Sequence, residues 1–356
     1  MRRREVLLSG GSIGLYGLFR SSAVLAGQGF FVPPEEGRHK RTFMQWPVSP
    51  SVYGDPVFLE VTQQTIADIA NAIVEFEPVT MLVSSEDQRT ARAKLSGKVE
   101  LWDIPTDDLW CRDSGPIFVV NDAGRLAIIH IQFNGWGGRQ ASKRDNQIAA
   151  RVAERLGLEL IPSGLYGEGG GVEHEGHGLL MAHESSWVND NRNPGASRDD
   201  IEARLLKAYG AKRMIWSEGV WDQDITDYHI DSLARFTGQG RVLMNLPDRP
   251  DMDDPFHVGA LDTHDTLVAE GLSVDVIPEP NSRRVRSIDF VASYANYYVC
   301  NGAVMVAEFG DPETDHLAQE TLAHHFPGRE IVALKVDPLG ELGGGIHCAT
   351  QQMPAV

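Results

Sequence analysis

Five polar motifs recur at similar intervals along the chain, and this regularity constrains the fold more than any other feature of the sequence. Their central residues are Asp113, Glu168, Asp231, Asn296 and Cys348, separated by 55, 63, 65 and 52 positions. Intervals of this size are typical of a repeated supersecondary unit. If each unit delivers one polar group to a common axis, the five groups meet in one place. The spacing of a few selected residues does not by itself establish such a repeat.

Strand-like and helix-like segments alternate around these motifs. Short apolar runs predict strands at 42–47, 79–83, 117–120, 127–133, 242–245, 274–278, 296–300 and 303–307. Apolar residues at helical spacing predict helices at 58–76, 146–156, 199–208 and 316–326, the third capped by Ser197. Such alternation predicts an α/β fold. Since no linker or low-complexity segment divides residues 27–356, we expect them to form a single catalytic domain.

The first 26 residues differ in character from the rest. Three arginines at positions 2–4 precede an apolar, glycine-rich stretch that ends in small residues. This is the layout of a cleavable signal peptide, and the adjacent arginines resemble a twin-arginine signal. Arg20 interrupts the apolar stretch, so a permanent membrane span is not expected. We predict that residues 1–26 direct export, so that the protein is periplasmic or secreted and makes no membrane contact after cleavage; an uncleaved anchor or a disordered tail is the alternative.

Composition restricts the partners. The chain carries a net charge of −18 with 42% hydrophobic residues, which allows a sizeable core. An acidic protein is not expected to bind nucleic acid, whereas a small cationic substrate suits it. The three cysteines are an odd number, so at least one thiol stays free unless it pairs between chains. The sequence is compatible with either a monomer or a homo-oligomer.

The segment TDYHIDS carries His229 and Asp231, two positions apart. Alternate residues of a strand face the same side, so we expect both side chains to point into one cleft. The alternative is a core histidine that is hydrogen-bonded to a neighbour.

The segment WCRDSGP places Trp110 near Asp113. An indole face beside a carboxylate suits a planar cation, which the ring can stack against while the carboxylate accepts paired hydrogen bonds. The alternative is an ion pair between Asp113 and Arg112 beside an ordinary buried tryptophan.

Glu168 precedes three glycines in EGGGVEHEGHG. A buried carboxylate is costly unless it is paired, and pairing with a histidine would fix the orientation of that ring. The histidines and glutamates that follow invite comparison with a metal site, but their spacing fits no HExxH helix. We therefore expect no metal.

Cys348 follows three glycines and His347 in GGGIHCATQQ. Glycine lets the backbone approach a ligand closely. Neighbours in an extended stretch face opposite ways, so His347 is a poor base for the thiol. A catalytic cysteine and histidine need only meet in space, which makes the distant His229 the better candidate. A buried structural cysteine is the alternative.

Several long motifs in order extend this interpretation: MQWP, WCRDSGP, FNGWGG, EGGG, NDNRNPG, DITDYHIDSLARF, SYANYYVCNG and GGGIHCATQQ. Over nearly the whole of residues 27–356 the chain resembles the agmatine deiminase and bacterial (Porphyromonas-type) peptidyl-arginine deiminase family of the pentein superfamily. The resemblance implies a five-bladed αβ propeller with pseudo-fivefold symmetry and a site on its axis. It also implies the conversion of agmatine to N-carbamoylputrescine, a step of putrescine biosynthesis, without metal or organic cofactor. Arginine in a peptide is the alternative substrate.

The resemblance also implies roles for the motif residues. Cys348 would be the nucleophile and His229 the general acid and base, with Glu168 orienting His229. Asp113 and Asp231 would hold the guanidinium.

Four further residues would contact or approach the substrate. Trp110 would line the slot, and Asn296 would lie close to the bound molecule. Tyr228 stands where the family usually has glycine, so its ring would narrow the channel or contact the substrate tail. Arg139, after FNGWGG, is the basic residue nominated for a substrate carboxylate.

Two rival functions use part of the same pattern. A periplasmic polyamine-binding protein would need the tryptophan and the acids, but would not need Cys348 together with His229. An amidinotransferase would share the covalent intermediate and pass it to an amine, so only the products distinguish it from a hydrolase.

Overall fold

The computed structural model describes residues 29–49, 52–287 and 290–356. The predicted export signal at residues 1–26 lies outside these ranges. Among the helices of the described ranges, none is both long enough and apolar enough to cross a membrane.

The strands are short, with three to eight residues each. They are β1 (His39–Gln45), β2 (Val79–Val83), β3 (Glu100–Asp103), β4 (Ile117–Val120), β5 (Leu126–Gln132), β6 (Glu159–Tyr166), β7 (Val172–His174), β8 (Leu179–His183), β9 (Arg213–Ser217), β10 (Ala234–Gly238), β11 (Arg241–Leu246), β12 (Ser273–Pro278), β13 (Tyr298–Cys300), β14 (Ala303–Ala307), β15 (Glu330–Leu334) and β16 (Thr350–Pro354).

The helices lie between these strands and include several single turns. They are α1 (Pro56–Ile73), α2 (Gln88–Lys94), α3 (Cys111–Ser114), α4 (Gly135–Gly138), α5 (Ile148–Leu156), α6 (Glu184–Trp187), α7 (Arg198–Tyr209), α8 (Pro255–Ala269), α9 (Pro312–His325) and α10 (Asp337–Glu341). The predicted α/β class is confirmed, although the sequence pattern missed half of the strands and the long helix α8.

The strands form five sheets with one shared pattern. Four sheets have three strands each, in the orders β4-β5-β6, β7-β8-β9, β10-β11-β12 and β13-β14-β15. The fifth has the order β16-β1-β2-β3 and so joins the two ends of the described chain. In each sheet the first strand is antiparallel to the second, and the second is parallel to the third.

A helix connects the parallel strands in every sheet. The connections contain α1, α5, α7, α8 and α9, and parallel neighbours need such a crossover. The unit of two antiparallel strands, a helix and a third strand is therefore the repeat that the motif spacing predicted.

Local signals account for the helix ends. Ser197 caps α7 as predicted, since its side chain accepts a hydrogen bond from the backbone N–H of Asp200, and the Asp200 carboxylate accepts one from the backbone N–H of Ser197. The helix ends at Gly210, whose φ of 66° suits glycine. Helices α1, α8 and α9 each start with an aspartate cap followed by proline.

The segment around His229 is not a strand, contrary to the sequence prediction. Asp227 and Tyr228 have φ values of 57° and 65°, which are incompatible with a strand. A 3-10 turn at Ile230–Ser232 follows, and β10 begins only at Ala234. His229 and Asp231 still face the same place, for a different geometric reason than strand alternation.

Candidate active site

Each of the five motifs lies just before the first strand of one sheet. Asp113 precedes β4, Glu168 precedes β7 and Asp231 precedes β10, while Asn296 precedes β13 and Cys348 precedes β16. Because the five sheets share one strand pattern, the motifs occupy equivalent positions in the five repeats. The fold thus explains why polar residues recur at similar intervals.

Three of these motifs meet around Gly170. A Cβ atom added to Gly170 would lie 2.8 Å from Oδ1 of Asp113, 2.9 Å from Nδ1 of His229 and 3.0 Å from Oδ2 of Asp231. These contacts are closer than a side chain tolerates, so only glycine leaves room for the three polar groups. This requirement accounts for the middle glycine of EGGG.

Cys348 joins this group through its sulfur. The Sγ atom lies 3.1 Å from Nδ2 of Asn296 and 3.4 Å from Oδ2 of Asp231. The backbone N–H of Cys348 also donates to Oδ1 of Asn296, at 3.3 Å. The thiol, the two aspartates and the histidine are thus brought together, as the sequence predicted.

The glycines before Cys348 make room for two side chains. A Cβ atom on Gly344 would lie 2.6 Å from Cζ3 of Trp110 and 3.4 Å from Cβ of Cys348. One on Gly345 would lie 2.5 Å from Oδ1 of Asn296. Trp110 and Asn296 therefore pack directly against the backbone that carries the thiol.

Asp113 is fixed by two donors. The indole N–H of Trp136 donates to its Oδ2 at 3.0 Å, and the backbone N–H of Gly170 donates to its Oδ1 at 3.1 Å. Burial, together with the charges of Asp231 and Glu168, raises the pKa of Asp113 to about 6, against the opposing effect of His229. The role of Trp136 was missed from the sequence, although it lies in the FNGWGG motif.

His229 lies between two carboxylates. Its Nε2 atom is 3.2 Å from Oε2 of Glu168, and its Nδ1 atom is 3.6 Å from Oδ1 of Asp113. Burial lowers the pKa of His229, but Asp113, Glu168 and Asp231 outweigh burial and raise it to about 9. The imidazole is therefore protonated at neutral pH.

Glu168 is itself held by an arginine that the sequence analysis did not single out. Nε of Arg192 lies 2.9 and 3.1 Å from the two carboxylate oxygens of Glu168, and its Nη1 lies 2.6 Å from Oδ2 of Asp227. All three side chains are buried. Arg192 belongs to NDNRNPG, so the motif contained the signal. Its charge keeps two buried carboxylates paired beside His229.

The sulfur of Cys348 is a thiol in this arrangement. Burial and the charges of Asp231 and Asp113 raise its pKa well above the usual value, against hydrogen bonds from Gly345 and Asn296. Cys111 and Cys300 are also free and fully buried, so all three cysteines are unpaired. A cation placed beside Cys348 would favour the thiolate.

Asp231 offers one free oxygen. Its Oδ2 lies 2.7 Å from Nδ1 of His347, whereas its buried Oδ1 has no hydrogen-bond partner among the described residues. Burial raises the pKa of Asp231, but the hydrogen bond and charge of His347, with His229 and Arg235, lower it below the usual value. An ionised carboxylate with a free buried oxygen suits an N–H group of a cationic ligand.

Tyr228 forms part of a pocket wall next to His229. Its ring stacks on His183 at 4.7 Å between centroids and meets Phe256 edge-on at 5.2 Å. The pocket is also lined by His229, Ser232 and Gly343. Contact between Tyr228 and a substrate tail stays a prediction.

Arg139 binds the loop that precedes Tyr228. Its guanidinium donates to the carboxylates of Asp222 and Asp227 at 2.6–3.0 Å and to the carbonyl oxygens of Asp224 and Ile225 at 2.8 and 3.0 Å. A substrate carboxylate would have to compete with these partners. Its nomination as a substrate-binding residue stays a prediction.

Across residues 29–49, 52–287 and 290–356, no group of three or more His, Cys, Asp or Glu is arranged to hold a metal ion.

Comparisons with known proteins agree over almost the whole chain. The profile of the Porphyromonas-type peptidyl-arginine deiminase family matches residues 31–354. The agmatine deiminases of Stutzerimonas stutzeri and Pseudomonas fluorescens are each 33% identical, over 92% of this chain and 96% of theirs. The structure of an Enterococcus faecalis agmatine deiminase, described as catalysing its reaction, superimposes with a TM-score of 0.83 at 27% identity, covering 92% of this chain and 97% of that one.

Proposed function

The chain belongs to the Porphyromonas-type peptidyl-arginine deiminase family, and from this premise we propose that it is an agmatine deiminase-like hydrolase. It converts a guanidinium group to a ureido group and releases ammonia. The substrate is agmatine, which would yield N-carbamoylputrescine.

One observation carries this proposal: the thiol of Cys348 lies beside two buried carboxylates and a protonated histidine. Sγ is 3.4 Å from Asp231, and Asp113 and His229 meet Asp231 around Gly170. A guanidinium is a planar cation whose N–H edges match carboxylates. Asp113 and Asp231 would hold it with its central carbon facing the sulfur, while Trp110 packs at the thiol-bearing turn.

The first half of the reaction forms a covalent intermediate. Binding of the cationic substrate favours loss of the thiol proton, which leaves to solvent. The sulfur of Cys348 forms a bond to the guanidinium carbon and gives a neutral tetrahedral adduct. His229 then donates its proton to the departing nitrogen, ammonia leaves, and a thiouronium cation remains on the sulfur.

The second half releases the product. His229 is now neutral and accepts a proton from a water molecule that attacks the same carbon. The bond between carbon and sulfur breaks, the ureido product leaves, and its surplus proton returns to the sulfur or to solvent. Glu168 keeps the His229 ring oriented throughout, and Asn296 donates a hydrogen bond to the sulfur.

Peptidyl-arginine is the second candidate substrate. The description of the family favours it, and so does the open pocket beside His229, whose wall contains Tyr228, Phe256 and Arg286. A long substrate tail would lie in this pocket. The chemistry at Cys348 is the same for both substrates.

We also propose an arrangement and a location for the domain. The five equivalent sheets are the blades of a closed pentein propeller with pseudo-fivefold symmetry, and residues 27–356 form this one domain. The shared strand pattern and the five motifs at equivalent positions support the arrangement. Residues 1–26 act as a twin-arginine signal that exports the enzyme.

A side-by-side assay tests the activity. The protein is incubated with agmatine, free arginine and an arginine-containing peptide, and both ammonia and ureido product are measured. Equal amounts of the two products from wild-type protein, with neither from Cys348→Ser, would support a hydrolase. Amidino transfer to an added amine would instead support the amidinotransferase, and binding without turnover would support the polyamine-binding protein.

A further inference from the structure

His347 lies between two buried carboxylates, directly before the nucleophile. Its Nδ1 atom is 2.7 Å from Oδ2 of Asp231, and its Nε2 atom is 2.9 Å from Oε2 of Glu35. The ring is buried. An ionised carboxylate only accepts hydrogen bonds, and a neutral imidazole has a single N–H. Both contacts are therefore satisfied only when His347 is a cation that donates from each nitrogen.

Glu35 connects His347 to two buried arginines. Its Oε1 lies 3.0 Å from Nη2 of Arg235 and accepts the backbone N–H of Val299 at 3.0 Å. Its Oε2 lies 3.2 Å from Nη2 of Arg112. Glu35 therefore ties His347 to the strands and turns of several sheets.

The buried charges balance only if His347 is counted as a cation. Arg235 also lies 2.7 Å from Glu173, so the pair Arg112 and Arg235 offsets Glu35 and Glu173. Among these buried carboxylates, Asp231 is then the one whose charge no arginine offsets, and His347 is the cation in contact with it. Since an unpaired buried charge is strongly destabilising, His347 supplies the positive charge that Asp231 needs.

This link determines which oxygen of Asp231 is available. His347 occupies Oδ2, and the buried Oδ1 has no partner within the described residues. The charge beside Oδ2 also favours the ionised carboxylate. Asp231 is therefore held in one orientation with one oxygen ready for a cation.

We propose that His347 is a positioning residue for the reaction: it anchors and charges Asp231 so that this aspartate can grip the guanidinium next to Cys348. The inference rests on the proposed function, since it assigns how the same site recognises its substrate. His347 does not touch the reacting atoms.

Alkylation of Cys348 tests this role without requiring turnover. Chloroacetamidine is a cation with the N–H edge of a guanidinium, and chloroacetamide is its neutral counterpart with the same leaving group. The ratio of their rates at Cys348, measured by peptide mass spectrometry, reports how well the carboxylates grip a cation. We expect His347→Gln to lower this ratio at least about tenfold, the scale for losing an interaction with a positioned charge.

His39→Gln is the matched control. His39 is also buried and lies 3.1 Å from Glu77 and 2.7 Å from the carbonyl oxygen of Glu35, but it does not contact Asp231. We expect this variant to keep the wild-type ratio even if its melting temperature falls. His347→Asn serves as a second variant at the same position and should also lower the ratio. An unchanged ratio in folded His347→Gln, or an equal loss in His39→Gln, would overturn the inference.

The pH dependence provides a second readout. The charged or titratable groups around Asp231 and His347 are Asp113, His229, Arg235, Cys348, Glu35, Glu173, Arg112 and His174. Without the cation at 347, burial is no longer offset and the pKa of Asp231 rises; we expect it to pass the pKa of Asp113, which sets the acid limb at about 6 in the wild type. The acid limb of the chloroacetamidine rate should therefore move upward by at least about one pH unit. An unmoved limb would contradict the proposal. Failure of the proposed function would look different, because wild-type protein would then release no ureido product while the reagent ratio could still be measured.

Discussion

Nδ1 of His229 lies 3.6 Å from Oδ1 of Asp113. The two groups are buried in the same place, and each stabilises the charge of the other. The pKa of Asp113 nevertheless rises to about 6, because burial, Asp231 and Glu168 outweigh the histidine. The pKa of His229 rises to about 9, because three carboxylates outweigh burial. Between these values Asp113 is ionised and His229 is protonated.

This pair predicts an acid limb and an upper limit in the pH dependence of kcat/KM for agmatine. As the pH falls through about 6, Asp113 takes up a proton and loses its grip on the guanidinium. As the pH rises through about 9, His229 loses the proton that it must donate to the departing ammonia. Because Asp113, His229 and the neighbouring carboxylates interact strongly, both limits are apparent pKa values of this set of residues rather than of single side chains. Steady-state rates from pH 5 to about 10.5 check this, and a rate that keeps rising beyond the upper limit would contradict the acid role of His229.

Cys348→Ser should abolish turnover without unfolding the protein. A serine hydroxyl leaves almost no anion in a buried site lined by carboxylates, so we expect kcat to fall by at least about a thousandfold. Ammonia release and the melting temperature are measured together.

Cys300→Ser is the control for this change. Cys300 is fully buried in β13 and has no place in the proposed chemistry. We expect kcat of this variant to stay within about threefold of wild type, well below the scale of a lost nucleophile. Equal residual activity in both variants would remove Cys348 from its role.

Arg192→Gln should damage both stability and catalysis. The change leaves Glu168 and Asp227 buried without their shared cation, at 2.9 and 2.6 Å from the former arginine nitrogens. Breaking a buried pair in this way lowers the free energy of unfolding by about 3–5 kcal/mol. Loss of the anchor for Glu168 should also lower kcat through a misoriented His229. Urea unfolding and steady-state kinetics measure the two effects.

An exposed arginine provides the comparison. Arg198 lies 2.8 Å from Glu184, with side chains that are 51% and 30% exposed. Arg198→Gln should cost less than about 1 kcal/mol and leave kcat unchanged. If the two substitutions have similar effects on stability and kcat, Arg192 does not anchor Glu168 in the way proposed.

The sequence predicted which polar residues meet, but not how they are held. Asp113, His229, Asp231 and Cys348 were found because residues with unusual chemistry recur in distinct motifs. The strand proposed for His229 was wrong, because left-handed dihedrals at Asp227 depend on its side-chain bonds to distant residues. Such long-range contacts leave no periodic signal.

The partners of the site residues were harder to predict for a related reason. Arg192 lies 24 positions from Glu168, and Glu35 lies 312 positions from His347. The arrangement of the sheets decides which residues form an ion pair at such a sequence separation. From the sequence alone, any of the many charged residues could have been the partner. Short strands such as β7, with three residues, were missed because they are too brief to show alternation.

Export through the twin-arginine route is a further prediction. Replacing Arg3 and Arg4 by lysine should retain the protein in the cytoplasm, because the adjacent arginines are the recognised part of such a signal. Fractionation of a bacterial host that has this pathway measures the effect. Arg20→Lys, outside the pair, should be exported normally. Unchanged export of the double variant would show that residues 1–26 are not this kind of signal.

We expect agmatine and arginine to be distinguished by their tails, because both carry the same guanidinium. Agmatine ends in an ammonium, whereas arginine also carries a carboxylate that needs a cation. Arg139 is already bonded to Asp222 and Asp227. The pocket beside His229 has carboxylates on its wall, among them Asp224 and Glu279.

We therefore expect agmatine to exceed free arginine in kcat/KM by at least about tenfold, or about 1.4 kcal/mol of transition-state binding. The carboxylates of the pocket favour the ammonium of agmatine. The carboxylate of free arginine would lie near these like charges, and Arg139 is not free to pair with it. Arg286 lines the same pocket and is the residue that could reverse this order for a peptide ending in arginine. Side-by-side kinetics on agmatine, arginine and such a peptide measure the preference, with Arg286→Gln as the diagnostic variant. A peptide preference in wild type that disappears in Arg286→Gln would make this enzyme a protein-modifying deiminase, whereas agmatine preference in both proteins would confirm the small substrate.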